Sequence, residues 1–169
     1  FYSEPEIAAA CLDRMTDIKC SLAQKWAEAG VDVILYGDDV GTQKGMMMNP
    51  DMWREWLKPR LARAIAAAKR VNPNVICDYH SDGFIEPIIP DLIEIGVDIL
   101  NPIQPECMDP IKIKSLYGDK LCFRGTVGTQ TTMPFGSAAD VKKTVQEMME
   151  EVGYNGGLII SPTHVLEPE

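Results

Sequence analysis

The sequence contains no apolar run approaching the roughly 18 residues that a transmembrane helix needs, and no basic segment leading into an apolar stretch at its start. Neither a membrane span nor a secretory leader is therefore expected. Basic clusters are also missing. The 16 Lys and Arg residues are scattered among 25 Asp and Glu, giving a formal net charge of −9. Binding to phosphate backbones or anionic lipid needs a positive patch, so nucleic acids and membrane surfaces are not expected as partners. The cysteines (Cys11, Cys20, Cys77, Cys107 and Cys122) are odd in number, irregularly spaced and without a C-x-x-C pair. That pattern argues against a disulfide framework and for reduced thiols in a cytoplasmic protein. Neither G-x-G-x-x-G nor G-x-x-x-x-G-K-[ST] follows the first strand-like segment, which weakens nucleotide-binding readings. Histidine is scarce, occurring only as His80 and His164.

What is present is ordinary for a soluble folded protein: 46% hydrophobic and 24% charged residues. A length of 169 residues is enough for one domain with a real core, and residues 1–169 are expected to form a single one. A chain opening on Phe1 reads as a fragment of a longer cytosolic protein.

Periodicity divides the chain into alternating elements. Ser3 and Glu6 have the spacing of a capping box, and Ile7, Cys11, Met15, Ile18, Leu22 and Trp26 follow as one helical stripe up to Gly30. Val31–Leu35 is a short apolar strand ending at Asp38-Asp39. Asn49-Pro50 caps a helix carrying Trp53, Trp56, Leu57, Leu61 and Ile65, with a bend at Pro59. Strands are predicted at Asn74–Tyr79, Val97–Ile103, Lys120–Arg124 and Gly157–Ser161, and helices over Pro90–Ile95 and Ile111–Tyr117. A further helix after the Ser137–Asp140 capping box carries Val141, Val145, Met148, Met149 and Val152. Strands that are continuous apolar runs imply burial on both faces, and strict alternation with helices implies right-handed parallel βα units. A complete (β/α)₈ barrel needs about 250 residues. The expected fold is thus an incomplete barrel of five sequential parallel strands. Its two edge strands would lack neighbours, so self-association is expected.

Polar residues collect just after the strands: Asp38-Asp39, His80-Ser81-Asp82, Asn101 to Cys107, Arg124 to Gln130, and Ser161 to His164. Parallel α/β folds bind ligands and carry catalytic groups at that end. Both histidines fall there. His80, Asp82, Cys107 and His164 together offer the N, O and S donors of a zinc site. Each also has a plainer reading. His80 could bond a neighbouring carbonyl, Cys107 could be a buried thiol, and Asp38-Asp39 could cap a loop. Met46 to Met48 suits packing or a lid, and Arg124 could pair with a strand-end carboxylate. Gln104, Arg124 and Gln130 are the candidates for substrate contact.

These strings resemble the uroporphyrinogen decarboxylase family. They are Gly37-Asp38-Asp39-Val40-Gly41-Thr42-Gln43, Tyr79-His80-Ser81-Asp82-Gly83, Pro90 to Asp98, Asn101-Pro102-Ile103-Gln104-Pro105, Gly125 to Gln130 with Pro134-Phe135-Gly136, and Gly156 to His164. The resemblance runs from about Ser3 to the end and implies the later strands of a (β/α)₈ barrel. One branch of that family decarboxylates uroporphyrinogen without a cofactor. The other transfers methyl groups between a corrinoid protein and a small molecule, using zinc. The zinc branch carries H-x-C with a second late Cys; here Asp82 stands at the first Cys position and His164 near the second. In the decarboxylase branch a histidine after the last strand belongs to the active site, and His164 matches it. Because the junctions carry more metal-type ligands than a cofactor-free decarboxylase requires, methyl transfer is the favoured branch, with zinc on His80, His164 and either Asp82 or Cys107. His164, Asp38 and Asp39 would then be the catalytic groups, the two aspartates orienting substrate or moving a proton. Porphyrinogen decarboxylation is the alternative, and a non-catalytic binding module a third.

Overall fold

The computed structural model describes residues 2–166. Five strands, β1 (Val33–Gly37), β2 (Ile76–His80), β3 (Ile99–Ile103), β4 (Cys122–Val127) and β5 (Leu158–Pro162), form one sheet in the order β1-β2-β3-β4-β5. From β2 to β5 every pairing is parallel, with Asp78 opposite Ile99, Ile99 opposite Cys122, and Arg124 opposite Ile159. Helix α1 (Pro5–Glu28) precedes β1, and α2 (Pro50–Trp56) and α3 (Lys58–Val71) separate β1 from β2. A 3₁₀ turn (Glu86–Ile88) with α4 (Ile89–Glu94), then α5 (Pro110–Tyr117), then α6 (Thr132–Phe135) with α7 (Ala138–Glu151) make the remaining crossovers. A doubly wound sheet reverses its strand order at a switch point; this one does not. Sequential order with a helical crossover between each pair of strands is the connectivity of consecutive units of a (β/α)₈ barrel. No helix among the described residues is long and apolar enough to cross a membrane.

The chain divides into two compact units. The first takes in residues up to Leu35, Met48–Cys77 and Pro87–Val97. There α1 packs on α3. Most of the buried residues are small: Thr16, Ala23 and Ala27 on α1, and Ala64, Ala67 and Ala68 beside the larger Ile65 on α3. Small side chains let two helix backbones approach closely. The larger stripe of Ile7, Met15, Ile18, Leu22 and Trp26 is therefore not the packed face, and Ile7 is 61% exposed. The capping box expected at Ser3 and Glu6 does not form either. The N-cap is Glu4, without a side-chain cap, because the helix starts one residue later at Pro5. The expected bend is a break at Leu57, with Pro59 in the first turn of α3. Asp91, buried, accepts from Arg54 Nε at 3.0 Å and Lys58 Nζ at 2.8 Å. Burial alone would raise its pKa; the two cations hold it below the usual carboxylate value.

The second unit takes in Tyr36–Met47, Asp78–Glu86 and Asp98 onward. Its core is Tyr79, Leu100, Ile103, Ile113, Phe123, Val127 and Val152. Strand β3 is buried along its whole length, as a strand covered on both faces must be. In β1, by contrast, Ile34 is buried while Val33 and Leu35 are exposed, and β5 is only half-buried. The expectation of burial on both faces thus holds in the sheet centre and fails at its edges. The Ser137–Asp140 capping box of α7 forms as expected. Lys114 is buried, donates from Nζ to Gly156 O at 2.9 Å, and lies 5.3 Å from the Tyr154 ring centroid. It fixes the turn that leads into β5, where Gly156 and Gly157 both have positive φ.

Candidate functional site

The junctions after β1 and β2 are joined through their backbones and the Ser81 hydroxyl. Phe84 N donates to Thr42 O at 2.8 Å, and Val40 N donates to Ser81 Oγ at 3.0 Å. A Cβ on Gly41 would lie 2.5 Å from Asp82 O, so nothing larger than glycine allows this approach. One consequence is that Asp39, two residues beyond β1, faces the end of β2. Its Oδ1 accepts from Asp82 N at 3.0 Å, which fixes its carboxylate.

Asp39, His80 and Asp82 each contribute one ligand atom to a group whose members all lie within 4.8 Å of one another. His80 Nε2 is 3.7 Å from Asp39 Oδ1 and 4.0 Å from Asp82 Oδ2. His80 Nδ1 is 2.7 Å from Asn101 Oδ1. His164 approaches from the end of β5, with Nε2 3.8 Å from Asp82 Oδ2. It lies outside the tighter group. Separations of 3.7–4.0 Å are too long for direct hydrogen bonds. They approach the roughly 3.2–3.6 Å between two ligands that share a tetrahedral zinc at bonds of about 2.0–2.2 Å. Two carboxylates and an imidazole nitrogen this close together form a donor set that fits a divalent metal of the zinc type.

The other expected residues fall as follows. Cys107 is not with this group: it sits in the turn after β3 and donates from Sγ to Gln43 Oε1 at 3.1 Å. Burial, reinforced by the charges of Glu106 and Asp82, pushes its thiol pKa up, away from the thiolate that a metal prefers. Arg124 takes its plainer reading, with Nη2 2.9 Å from Asp78 Oδ2. Burial raises the pKa of Asp78, and Arg124 opposes that rise. Asp38 is exposed and outside the group, its carbonyl accepting from Tyr79 Oη at 3.3 Å. Gln104 is buried and accepts from Gly83 N at 3.1 Å, and Gln130 N donates to Glu106 Oε1 at 3.1 Å. Gln104 and Gln130 both line a cavity of about 250 Å³, together with Gln43, Asp82, Thr129 and His164. Asp39 as a ligand and Asn101 as a partner of His80 are the residues that sequence reasoning passed over. The signal for Asp39 was its place two residues beyond a strand end.

A model of the family described as uroporphyrinogen decarboxylase (URO-D) matches residues 1–169. The chain is 27% identical over 139 residues to the methylcobamide:CoM methyltransferase MtaA of Methanosarcina barkeri, covering 82% of this chain and 39% of that protein. It is 22% identical over 172 residues to the uroporphyrinogen decarboxylase of Chlorobaculum tepidum, covering 99% of this chain and 46% of that protein. Among solved structures, a methyltransferase from Methanosarcina mazei superposes with a TM-score of 0.69 at 25% identity, covering 88% of this chain and 40% of that one. The chain thus spans less than half the length of the relatives it matches. A model matching every residue, together with parallel βα units in sequential order, leads to one assignment: the chain belongs to the uroporphyrinogen decarboxylase (URO-D) family.

Proposed function

We propose that this protein takes part in zinc-dependent methyl transfer between a small molecule and a corrinoid carried on a partner protein. The observation that carries this reading is the grouping of Asp39, His80 and Asp82, with ligand atoms within 4.8 Å of one another. Cofactor-free decarboxylation has no need of such a set. Asp39, His80 and Asp82 would hold the metal, which would lower the pKa of a bound acceptor and so supply a nucleophile at neutral pH. The acceptor would sit in the polar cavity against Gln104 and Gln130. Its lone pair forms the new bond to the methyl carbon. A corrinoid on a partner protein would supply the methyl group and keep the electron pair of the bond that breaks, and the acceptor's proton would pass to His164 Nε2. His164 is suited to that step, being more than half exposed at the cavity wall.

Uroporphyrinogen decarboxylation is a second reading, favoured by the alignment of a decarboxylase along 99% of this chain. One experiment separates the two. The protein is incubated with methylcobalamin and a panel of thiols, amines and phenols, and loss of the carbon–cobalt absorbance is followed. Zinc-dependent demethylation that disappears in His80→Ala supports methyl transfer. Carbon dioxide release from uroporphyrinogen that persists after zinc chelation would replace this reading with the second.

A further inference from the structure

We infer that Asn101 is a positioning residue that locks His80 in the Nδ1–H tautomer, so that the Nε2 lone pair faces Asp39 and Asp82. The inference rests on the metal-site reading only for its consequence; the tautomer itself follows from hydrogen-bond bookkeeping. Asn101 lies on β3 directly opposite His80 on β2, and its side chain is buried between β2 and β4. It makes two contacts: Oδ1 to His80 Nδ1 at 2.7 Å, and Nδ2 to the Arg124 carbonyl oxygen at 3.3 Å.

The second contact decides the first. A backbone carbonyl oxygen only accepts, so the amide group facing Arg124 O must be the NH₂. Turning the amide over would set two acceptor oxygens against each other and leave a buried donor misplaced. Oδ1 must therefore face His80, and because Oδ1 only accepts, Nδ1 must carry the hydrogen. In a neutral imidazole that leaves Nε2 bare. Nε2 is the nitrogen 3.7 Å from Asp39 Oδ1 and 4.0 Å from Asp82 Oδ2. A lone pair turned toward two carboxylates is unfavourable unless a metal ion, or a proton taken up on Nε2, shares the space, so Asn101 leaves Nε2 as the ring's open position for either. Metal-bound histidines commonly have the second ring nitrogen held by an oxygen in this way, and loss of such a partner typically weakens metal binding about 10–100-fold.

The test uses three forms of the full chain: wild type, Asn101→Leu and Asn101→Asp. Both variants lose the donor to Arg124 O, so both carry any purely structural damage. Only the aspartate keeps an acceptor for Nδ1–H. Long-range proton–nitrogen correlation spectra at alkaline pH read the tautomer of His80, and competition with a chromogenic chelator reads zinc affinity. The expected result is the Nδ1–H form in wild type and Asn101→Asp, its loss in Asn101→Leu, and zinc binding weakened about 10–100-fold in the leucine variant alone. An Nε2–H ring in wild type would overturn the inference, as would equal weakening in both variants. An Nδ1–H ring in a wild-type chain that takes up no zinc would instead overturn the metal reading and leave the role of Asn101 in place.

Discussion

Replacing Gly41 by alanine perturbs the site without touching any charged or ligating side chain. The added methyl would lie 2.5 Å from Asp82 O and 2.9 Å from both Gly83 C and Phe84 N, all backbone atoms. The nearest of these is about 0.9 Å inside the 3.4 Å at which ordinary contact begins. Overpacking of this kind costs about 1–3 kcal/mol. Relief requires the two junctions to separate. That strains the bonds from Phe84 N to Thr42 O, Val40 N to Ser81 Oγ and Asp82 N to Asp39 Oδ1. At a net contribution of about 0.5–1.5 kcal/mol each, losing one or two of them brings the total to about 1.5–6 kcal/mol. For a chain of this length that is a fall in melting temperature of about 3–24 °C. The matched control is Gly45→Ala, in the same loop, where a Cβ would meet nothing within 4 Å. Thermal unfolding followed by circular dichroism reads the stability difference, and zinc titration reads the site. Gly41→Ala is expected to lose both stability and zinc affinity while Gly45→Ala keeps both. A Gly41→Ala protein within about 0.5 kcal/mol of wild type, with unchanged zinc binding, would refute the claim that glycine is what lets Asp39 reach His80.

Three further outcomes are expected. Lys114→Met should lower stability by about 1–3 kcal/mol in urea unfolding, because Gly156 O loses a buried charged donor; no measurable change would contradict that role. Cys107 should alkylate more slowly than a small-molecule thiol at neutral pH, with a rate still climbing past the pH at which an ordinary cysteine is ionised, since burial raises its pKa; Cys107→Ser should keep full zinc stoichiometry. With Val33, Leu35 and Ile159 exposed on the two edge strands, light scattering should detect species above monomer mass, and a sharp monomeric profile would count against it.

Strand number and sequential order were legible because a run such as Ile99–Ile103, buried throughout and apolar but for Asn101, reads directly as a central strand. Helix facing was less legible. Period alone places Ile7, Met15, Ile18, Leu22 and Trp26 on one side of α1, yet that side is exposed and the alanines opposite are packed. A period marks a face but not its neighbour, and close helix contact selects small side chains. In the site, His80 and Asp82 were legible as an H-x-D pair at a strand end. Cys107 drew attention by its chemistry, but it lies four residues beyond β3, far enough for the turn to carry its sulfur to Gln43. Asp39 was assigned to substrate rather than metal, because the Gly41–Gly83 contact that delivers it to His80 joins residues distant in sequence. Asn101 carried no signal as a single letter. Its part depends on lying opposite His80, a matter of strand register.

The central claim is that Asp39, His80 and Asp82 hold one metal ion. Equilibrium dialysis of the metal-depleted protein against zinc, followed by elemental analysis, tests it most directly on wild type, Asp39→Ala, His80→Ala and Cys107→Ala. The account predicts about one zinc per chain for wild type and Cys107→Ala, and its loss in Asp39→Ala and His80→Ala. Stoichiometric zinc retained by His80→Ala, or released by Cys107→Ala alone, would contradict it.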